Sequence, residues 1–162
     1  MALEITKLLD DTGWRLLQLL QQNARLSYTE LGQRVGLSLP SVAERVRKME
    51  EAGIITGYHA EVNLARLGLP VLAIIRLGSF GGQGCRQVAS QVSEIPEVLE
   101  CYKVTGNDCV VVKVVATSLD HLSRIIEQLS LIGPVTTSPV FSRPMKRHTV
   151  SREIIERGKD ED

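Results

Sequence analysis

Ser38, Pro40, Ser41, Glu44, Arg45, Arg47 and Lys48 fall within one short stretch and bring together hydroxyls, cations and a carboxylate. On a helix, 100° per residue places Val42, Val46 and Met49 on one stripe, which must be buried, and Pro40, Ser41, Glu44, Arg47 and Lys48 on the opposite side. Ser41 and Lys48 can donate to phosphate oxygens or base edges, and Arg47 to either. Glu44 can accept from a cytosine amine or soften indiscriminate binding. Arg45, at the flank of the stripe, has two readings: a salt link inside the domain, or a phosphate clamp. Such a face is chemistry for double-stranded DNA.

Other reactive types are scattered. His59, His121 and His148 fall on a linker, a helix start and the tail, without the clustering that acid–base catalysis needs. Cys85, Cys101 and Cys109 are odd in number and lack C-x-x-C spacing, so they read as small buried apolar side chains. There is no P-loop and no G-x-G-x-x-G at a strand-to-helix junction, and Gly81-Gly82-Gln83-Gly84 reads as a flexible turn into a helix. Nothing points to a catalytic residue, a metal or a cofactor.

The elements that must position the polar face are legible. From about residue 8 to 53, apolar residues recur at helical spacing. A first helix carries Trp14, Leu16, Leu17, Leu19 and Leu20 and ends near Gln22-Asn23, where Asn tolerates the left-handed conformation. A second opens on the capping box Ser27-Tyr28-Thr29-Glu30 and closes at Gly36. A third has Ser38 as N-cap and Pro40 in its first turn, and stops at Gly53. Two helices joined at Gly36-Leu37-Ser38 match a helix-turn-helix. Leu31, Val35, Leu37 and Val42 supply the packed elbow, Gly32 the small residue at the crossing and Gly36 the turn. Ile54-Ile55-Thr56-Gly57-Tyr58 reads as a strand leaving the helix, the place for a wing or linker.

Beyond it, strands are expected at Ile54–Val62, Val71–Leu77, Val98–Val104, Cys109–Ala116 and Val135–Phe141, and helices at about 83–94 and 119–131. Thr105-Gly106-Asn107-Asp108 reads as a hairpin turn, since Gly and Asn accept positive φ. Without the first strand the order is β-α-β-β-α-β, a ferredoxin-like arrangement within an α+β chain. One sheet face would be left uncovered, and we expect a homodimer through it. Arg143 to Asp162, with Lys146, Arg147, His148 and Arg152, reads as a short helix and a solvated tail ending in Lys159-Asp160-Glu161-Asp162.

With 162 residues there is room for one ordinary domain or two small ones. Hydrophobic residues make up 43% and charged residues 23%, which excludes a disordered or collagen-like chain. Lys+Arg and Asp+Glu both number 19, so attraction to nucleic acid has to come from a local concentration of positive charge such as Arg45, Arg47 and Lys48. Acids interrupt the first residues, and no apolar run approaches the ~20 residues of a membrane span, so a cytoplasmic protein with no membrane partner is expected.

Leu9-Asp10, Gln18 to Arg25, Ser27, Glu30-Leu31-Gly32, Val35 to Ser38, Val42, Arg45-Val46, Glu50 to Ile55 and Gly57-Tyr58 resemble the Lrp/AsnC family of prokaryotic transcriptional regulators. Gly106-Asn107-Asp108-Cys109 and the following Val110 to Val114 resemble the family's glycine-acid turn and strand. The resemblance covers about residues 8–147. It implies a winged helix-turn-helix (1–56), a linker strand (57–68), a ferredoxin-like effector-binding and oligomerising RAM domain (69–147) and a tail (148–162). It also implies dimers that assemble further, often to octamers, and a small effector, commonly an amino acid, near Gly106, Asn107 and Asp108 with Thr105 and Thr137 from neighbouring strand ends. Two departures stand out: Gly13 replaces an acid of the first helix, a matter of helix capping on this reading. Asn107, Asp108 and Cys109 replace acids flanking an aromatic, so only Asp108 can answer an ammonium group.

Other readings of the same residues are an ordinary hairpin turn at Asn107-Asp108, a tetrapyrrole decarboxylase-like enzyme, which resembles this family in both domains, and a metabolite-sensing assembly protein without DNA binding.

Overall fold

A computed structural model describes residues 7–81, 84–145 and 147–158. Lys146, the Gly82-Gln83 part of the glycine-rich turn and the terminal Lys159–Asp162 lie outside the described residues. The chain divides into two compact units, one drawn from residues 1–61 and 146–162, the other from residues 62–145.

The first unit is built on helices α1 (Asp11–Gln22), α2 (Tyr28–Val35) and α3 (Leu39–Glu51). Asp10 caps α1 by accepting from Gly13 N–H at 2.8 Å. The capping box of α2 forms, with Glu30 N–H donating to Ser27 Oγ (3.2 Å) and Ser27 N–H to Glu30 Oε2 (2.8 Å). Leu16, Leu19, Leu20, Leu31, Val42 and Val46 form the core, with Val35 and Leu37 packed at its edge. Asn23 ends α1 in an extended conformation (φ −151°), not left-handed, because its Oδ1 accepts from Arg25 N–H at 3.0 Å and shapes an open turn. Gly13 does more than bear on capping: a Cβ there would lie 1.9 Å from the Leu8 carbonyl oxygen and 3.2 Å from Met49 Cε.

No strand forms at Ile54–Val62. Ile54 and Ile55 N–H both turn back to the Met49 carbonyl (2.8 and 3.1 Å), and Tyr58 Oη donates to Glu50 Oε1 at 2.8 Å. These bonds finish the helix end, and no strand of the described residues pairs with this segment, so its β-branched residues are not enough. The tail forms the short helix α6 (Arg152–Arg157) and is not merely solvated. Gln21 exchanges two hydrogen bonds with the Val150 backbone (3.0 and 2.8 Å), and Arg152 pairs with Asp11 at 2.6 Å.

The second unit contains β1 (Val71–Leu77), α4 (Cys85–Val92), β2 (Val98–Lys103), β3 (Val110–Ala116), α5 (Leu119–Ser130) and β4 (Val135–Pro139), after a 3₁₀ turn at Ala65–Leu67. The sheet is antiparallel in the order β2-β3-β1-β4. Ala73, Ile75 and Leu77 of β1 and Val110, Val112 and Val114 of β3 meet Val88 and Val92 of α4 and Leu122, Ile125 and Leu129 of α5 in one core. Period-2 alternation sends Leu72, Ile74 and Arg76 to the other face, which is mixed in character. There Glu100 and Lys113, partners across β2 and β3, form an ion pair at 2.8 Å.

The cysteines depart from the expectation of free thiols. Cys85 and Cys109 form a disulfide, with Cα atoms 5.0 Å apart although 24 residues separate them, and Cys101 is the free cysteine. Spacing could not reveal the pair, because the first residue of α4 and the residue before β3 meet only when the sheet is assembled. Among the described residues, no helix is long and apolar enough to cross a membrane.

Candidate functional site

The outer face of α3 is the first site. Its start is held by Ser38, whose Oγ lies 2.8 Å from Ser41 Oγ and accepts weakly from Ser41 N–H at 3.4 Å. Gly36 makes the turn with φ 71°. Gly32 allows it, since a Cβ there would be 2.4 Å from the Leu37 carbonyl oxygen. The close approach is thus to the turn's backbone, with the Val42 side chain further off at 3.6 Å.

Val42, Val46 and Met49 are buried, and Pro40, Ser41, Glu44, Arg47 and Lys48 are exposed, as the helical spacing requires. The cations are all engaged. Arg45 makes the salt link, donating to both Asp10 oxygens at 2.7 and 2.8 Å. Its guanidinium, more than the cap bond, holds the Asp10 carboxyl below its ordinary range. Arg47 donates to Glu44 (2.8 and 3.0 Å) and pairs with Glu51, while Lys48 lies 3.3 Å from Glu44. Hydrogen bonds from Arg47 first and Lys48 second pull the Glu44 carboxyl down to about 2, so it is ionised at any ordinary pH. Positive charge on this face is therefore compensated within the helix, by exposed pairs that a phosphate can replace at little cost. Periodicity missed the part of Glu51, although its i,i+4 spacing from Arg47 was the available signal. It also missed Leu39, half exposed in the first turn, whose side chain suits a thymine methyl.

The second site lies at one end of the sheet. There Gly78 N–H donates to the Pro134 carbonyl at 2.9 Å, and a Cβ on Gly78 would stand 3.7 Å from the Asn107 carbonyl oxygen. The turn 105–108 sits among these loops. Gly106 takes φ 112°, whereas Asn107 does not take a positive φ. Thr105, Gly106 and Asn107 are exposed. Asp108 is half-buried, and its carboxylate is 3.9 Å from Arg76 Nε, a residue that sequence reasoning passed over. The signal was a lone charge at an alternating position of an apolar strand. Arg76 pairs in register with Thr136, while Thr137 stands opposite Ile75 on the helix-covered face. The structure thus brings Asp108, Arg76 and Thr136 toward one face and leaves Thr137 on the other.

His121 Nε2 lies 3.2 Å from Glu97 Oε1 and its Nδ1 is 3.1 Å from Thr117 Oγ1, an arrangement that secures the start of α5. No group of His, Cys, Asp and Glu able to hold a metal is present among the described residues.

Residues 9–56 match the winged helix-turn-helix DNA-binding family, and residues 71–150 match the Lrp/AsnC ligand binding domain. An uncharacterized HTH-type transcriptional regulator of Bacillus subtilis, YezC, is 40% identical over 83% of this chain and 94% of its own. The proline dehydrogenase transcriptional activator of Rhodobacter capsulatus is 39% identical over 85% of this chain and 91% of its own. In structure, a transcriptional regulator of Neisseria meningitidis in complex with L-methionine superposes with a TM-score of 0.83 at 28% identity, covering 91% of this chain and 99% of that one. The two units, in this order and over nearly the whole chain, place this protein in the Lrp/AsnC family of helix-turn-helix transcriptional regulators.

Proposed function

We propose that this protein binds DNA as a homodimer whose two α3 helices enter successive major grooves about one helical turn apart. The observation that carries this reading is the face of α3, where Ser41, Glu44, Arg47 and Lys48 project from a helix whose opposite stripe is buried. Lys48 contacts phosphate, Ser41 and Arg47 read base edges, and Ser38 and Pro40 approach the backbone at the helix start. Glu44 releases Arg47 and Lys48 as phosphates take its place. Arg45 acts on DNA indirectly by fixing α3 to Asp10. The exposed Tyr102 and the half-shielded Leu72, Ile74 and Val111 support dimerisation through the open sheet face, and assembly to octamers is the family's extension of it. A DNA-reading role implies work in the cytoplasm rather than catalysis.

We further infer that the 105–108 turn receives a small effector, with an L-amino acid as the class. Asp108 accepts its ammonium group, and Arg76, displaced from Asp108, meets its carboxylate. Support comes from the methionine-bound relative, in which an amino acid complex occurs on a similar fold.

The test is fluorescence anisotropy with DNA from upstream of the protein's own reading frame, over a salt series and with a panel of L-amino acids. Lys48→Ala lowers affinity for all sequences and reduces the salt slope by about one for each phosphate left without its lysine. Arg47→Ala relaxes discrimination at one base position by about 1–3 kcal/mol. Unchanged affinity and slope in Lys48→Ala refute the docking. The absence of any amino acid response refutes the effector reading while leaving the DNA reading standing.

A further inference from the structure

The disulfide joins two places whose relation bears on the turn beside it. Cys109 is the residue immediately after the 105–108 turn and is 3% exposed. Its N–H donates to the Leu77 carbonyl at 2.7 Å, and its carbonyl accepts from Val104 N–H at 3.1 Å. Cys85, partly exposed, is the first residue of α4, behind Gly84, which provides no side-chain cap. The bond therefore fastens the downstream end of an exposed turn to the start of a helix across a gap that the backbone spans only through 24 residues.

We propose that Cys85–Cys109 is a reversible thiol–disulfide site, exchanging with low-molecular-weight thiols and disulfides, whose oxidation state sets the order of the 105–108 turn. The two residues differ in exposure, Cys85 partly exposed and Cys109 buried, which gives the exchange a direction. An incoming thiolate attacks Cys85 Sγ, forming a mixed disulfide. The Sγ–Sγ bond breaks, and its electron pair leaves on Cys109 Sγ, which takes up a proton. A second thiolate attacks the small molecule's sulfur, forming its disulfide and releasing Cys85 as a thiolate, which the uncapped first-turn amides of α4 stabilise. Two small thiols are oxidised and one protein disulfide is reduced to two thiols. A small-molecule disulfide runs the sequence in reverse.

Once opened, the turn keeps its strand hydrogen bonds at Cys109 but loses its covalent tie to α4. The Val104 and Cys109 amides, whose hydrogen bonds frame the turn, then open more often. The first unit contains neither cysteine and is unaffected. Only the consequence for effector affinity rests on the reading of the turn as an effector site. The thiol chemistry and the turn's order stand or fall separately from it.

The test uses the full-length chain carrying Cys101→Ala, so that only the pair can react, equilibrated without denaturant in mixtures of reduced and oxidised glutathione. Acid trapping, alkylation and peptide mass spectrometry should show a reversible two-thiol transition and a mixed glutathione disulfide on Cys85. Hydrogen exchange should rise about tenfold or more at the Val104 and Cys109 amides on reduction, with α1–α3 unchanged. Far-UV circular dichroism of the reduced protein checks that the fold persists. Resistance to glutathione until the chain unfolds, loss of the fold on reduction, an adduct on Cys109 or unchanged exchange at the Val104 and Cys109 amides overturns the proposal. Cys85→Ser provides a second reduced form that needs no thiol present, and it should reproduce the faster exchange.

Discussion

Replacing Gly32 with alanine tests how the elbow between α2 and α3 is built. The new Cβ would stand 2.4 Å from the Leu37 carbonyl oxygen and 3.5 Å from its carbon, where ordinary contact begins at 3.4 Å. Relief requires that carbonyl to retreat by about 1 Å, in an interior packed too densely to absorb the shift freely. The same turn holds Leu37 N–H on the Gly32 carbonyl at 3.0 Å, and the retreat weakens that bond. Overpacking costs about 1–3 kcal/mol and the hydrogen bond about 1 kcal/mol, while alanine in a helix returns about 1 kcal/mol. The net loss is about 1–3 kcal/mol. Trp14, the single tryptophan, is 8% exposed in this same unit, so its fluorescence in a urea titration reports the unit in which the change is made. Gly36→Ala is the control with a different cause: it meets open space, but φ is 71°, and the cost is about 1–2 kcal/mol of backbone strain. A Gly32→Ala protein as stable as the parent, or more so, refutes this account of the elbow.

Asp10→Asn keeps a cap for α1 but removes the charge facing Arg45. The folded-state pKa of Asp10 lies below its ordinary 3.8, so its ion-pair stabilisation is full well above that value and is lost as pH falls through the lower folded value. The variant's stability should therefore fall less steeply in acid, as followed by denaturation at several pH values. Glu44→Gln removes the acid that engages both Arg47 and Lys48, and should raise DNA affinity and steepen the salt dependence by up to about one unit per helix, measured by anisotropy. Asp108→Asn should weaken a responsive L-amino acid by about tenfold or more in calorimetry, because a charge-assisted hydrogen bond contributes about 1.5–3 kcal/mol. DNA affinity without effector should stay unchanged. Converting both Cys85 and Cys109 to alanine should cost about 3.5 kcal/mol in the second unit, the chain-entropy value for a loop closed between residues 24 apart.

Much of the fold was legible because it rests on local rules. The Ser27–Glu30 capping box, the Gly36 turn and the Val42, Val46 and Met49 stripe each depend on residues within one or two helical turns. The β-α-β-β-α-β order followed from alternation and turn chemistry, and the strands formed within a few residues of their expected ends. The segment 54–62 was misread because β-branched residues describe a preference for pairing, and a strand exists only where another strand accepts its hydrogen bonds. The exposed face of α3 could be derived from an angle, but not the engagement of Arg45 by Asp10, 35 residues away.

By itself, then, the sequence determined a helix-turn-helix followed by a four-stranded α+β unit, the polar side of α3 and the family. These follow from periodicity, caps and motif spacing, which are properties of near neighbours. Tertiary structure alone decided that Cys85 meets Cys109, that Arg76 rather than Thr137 stands by Asp108, and that Asp10 engages Arg45. Each of these is a distance between atoms set by how the elements are packed, and packing joins residues whose separation along the chain carries no record of it.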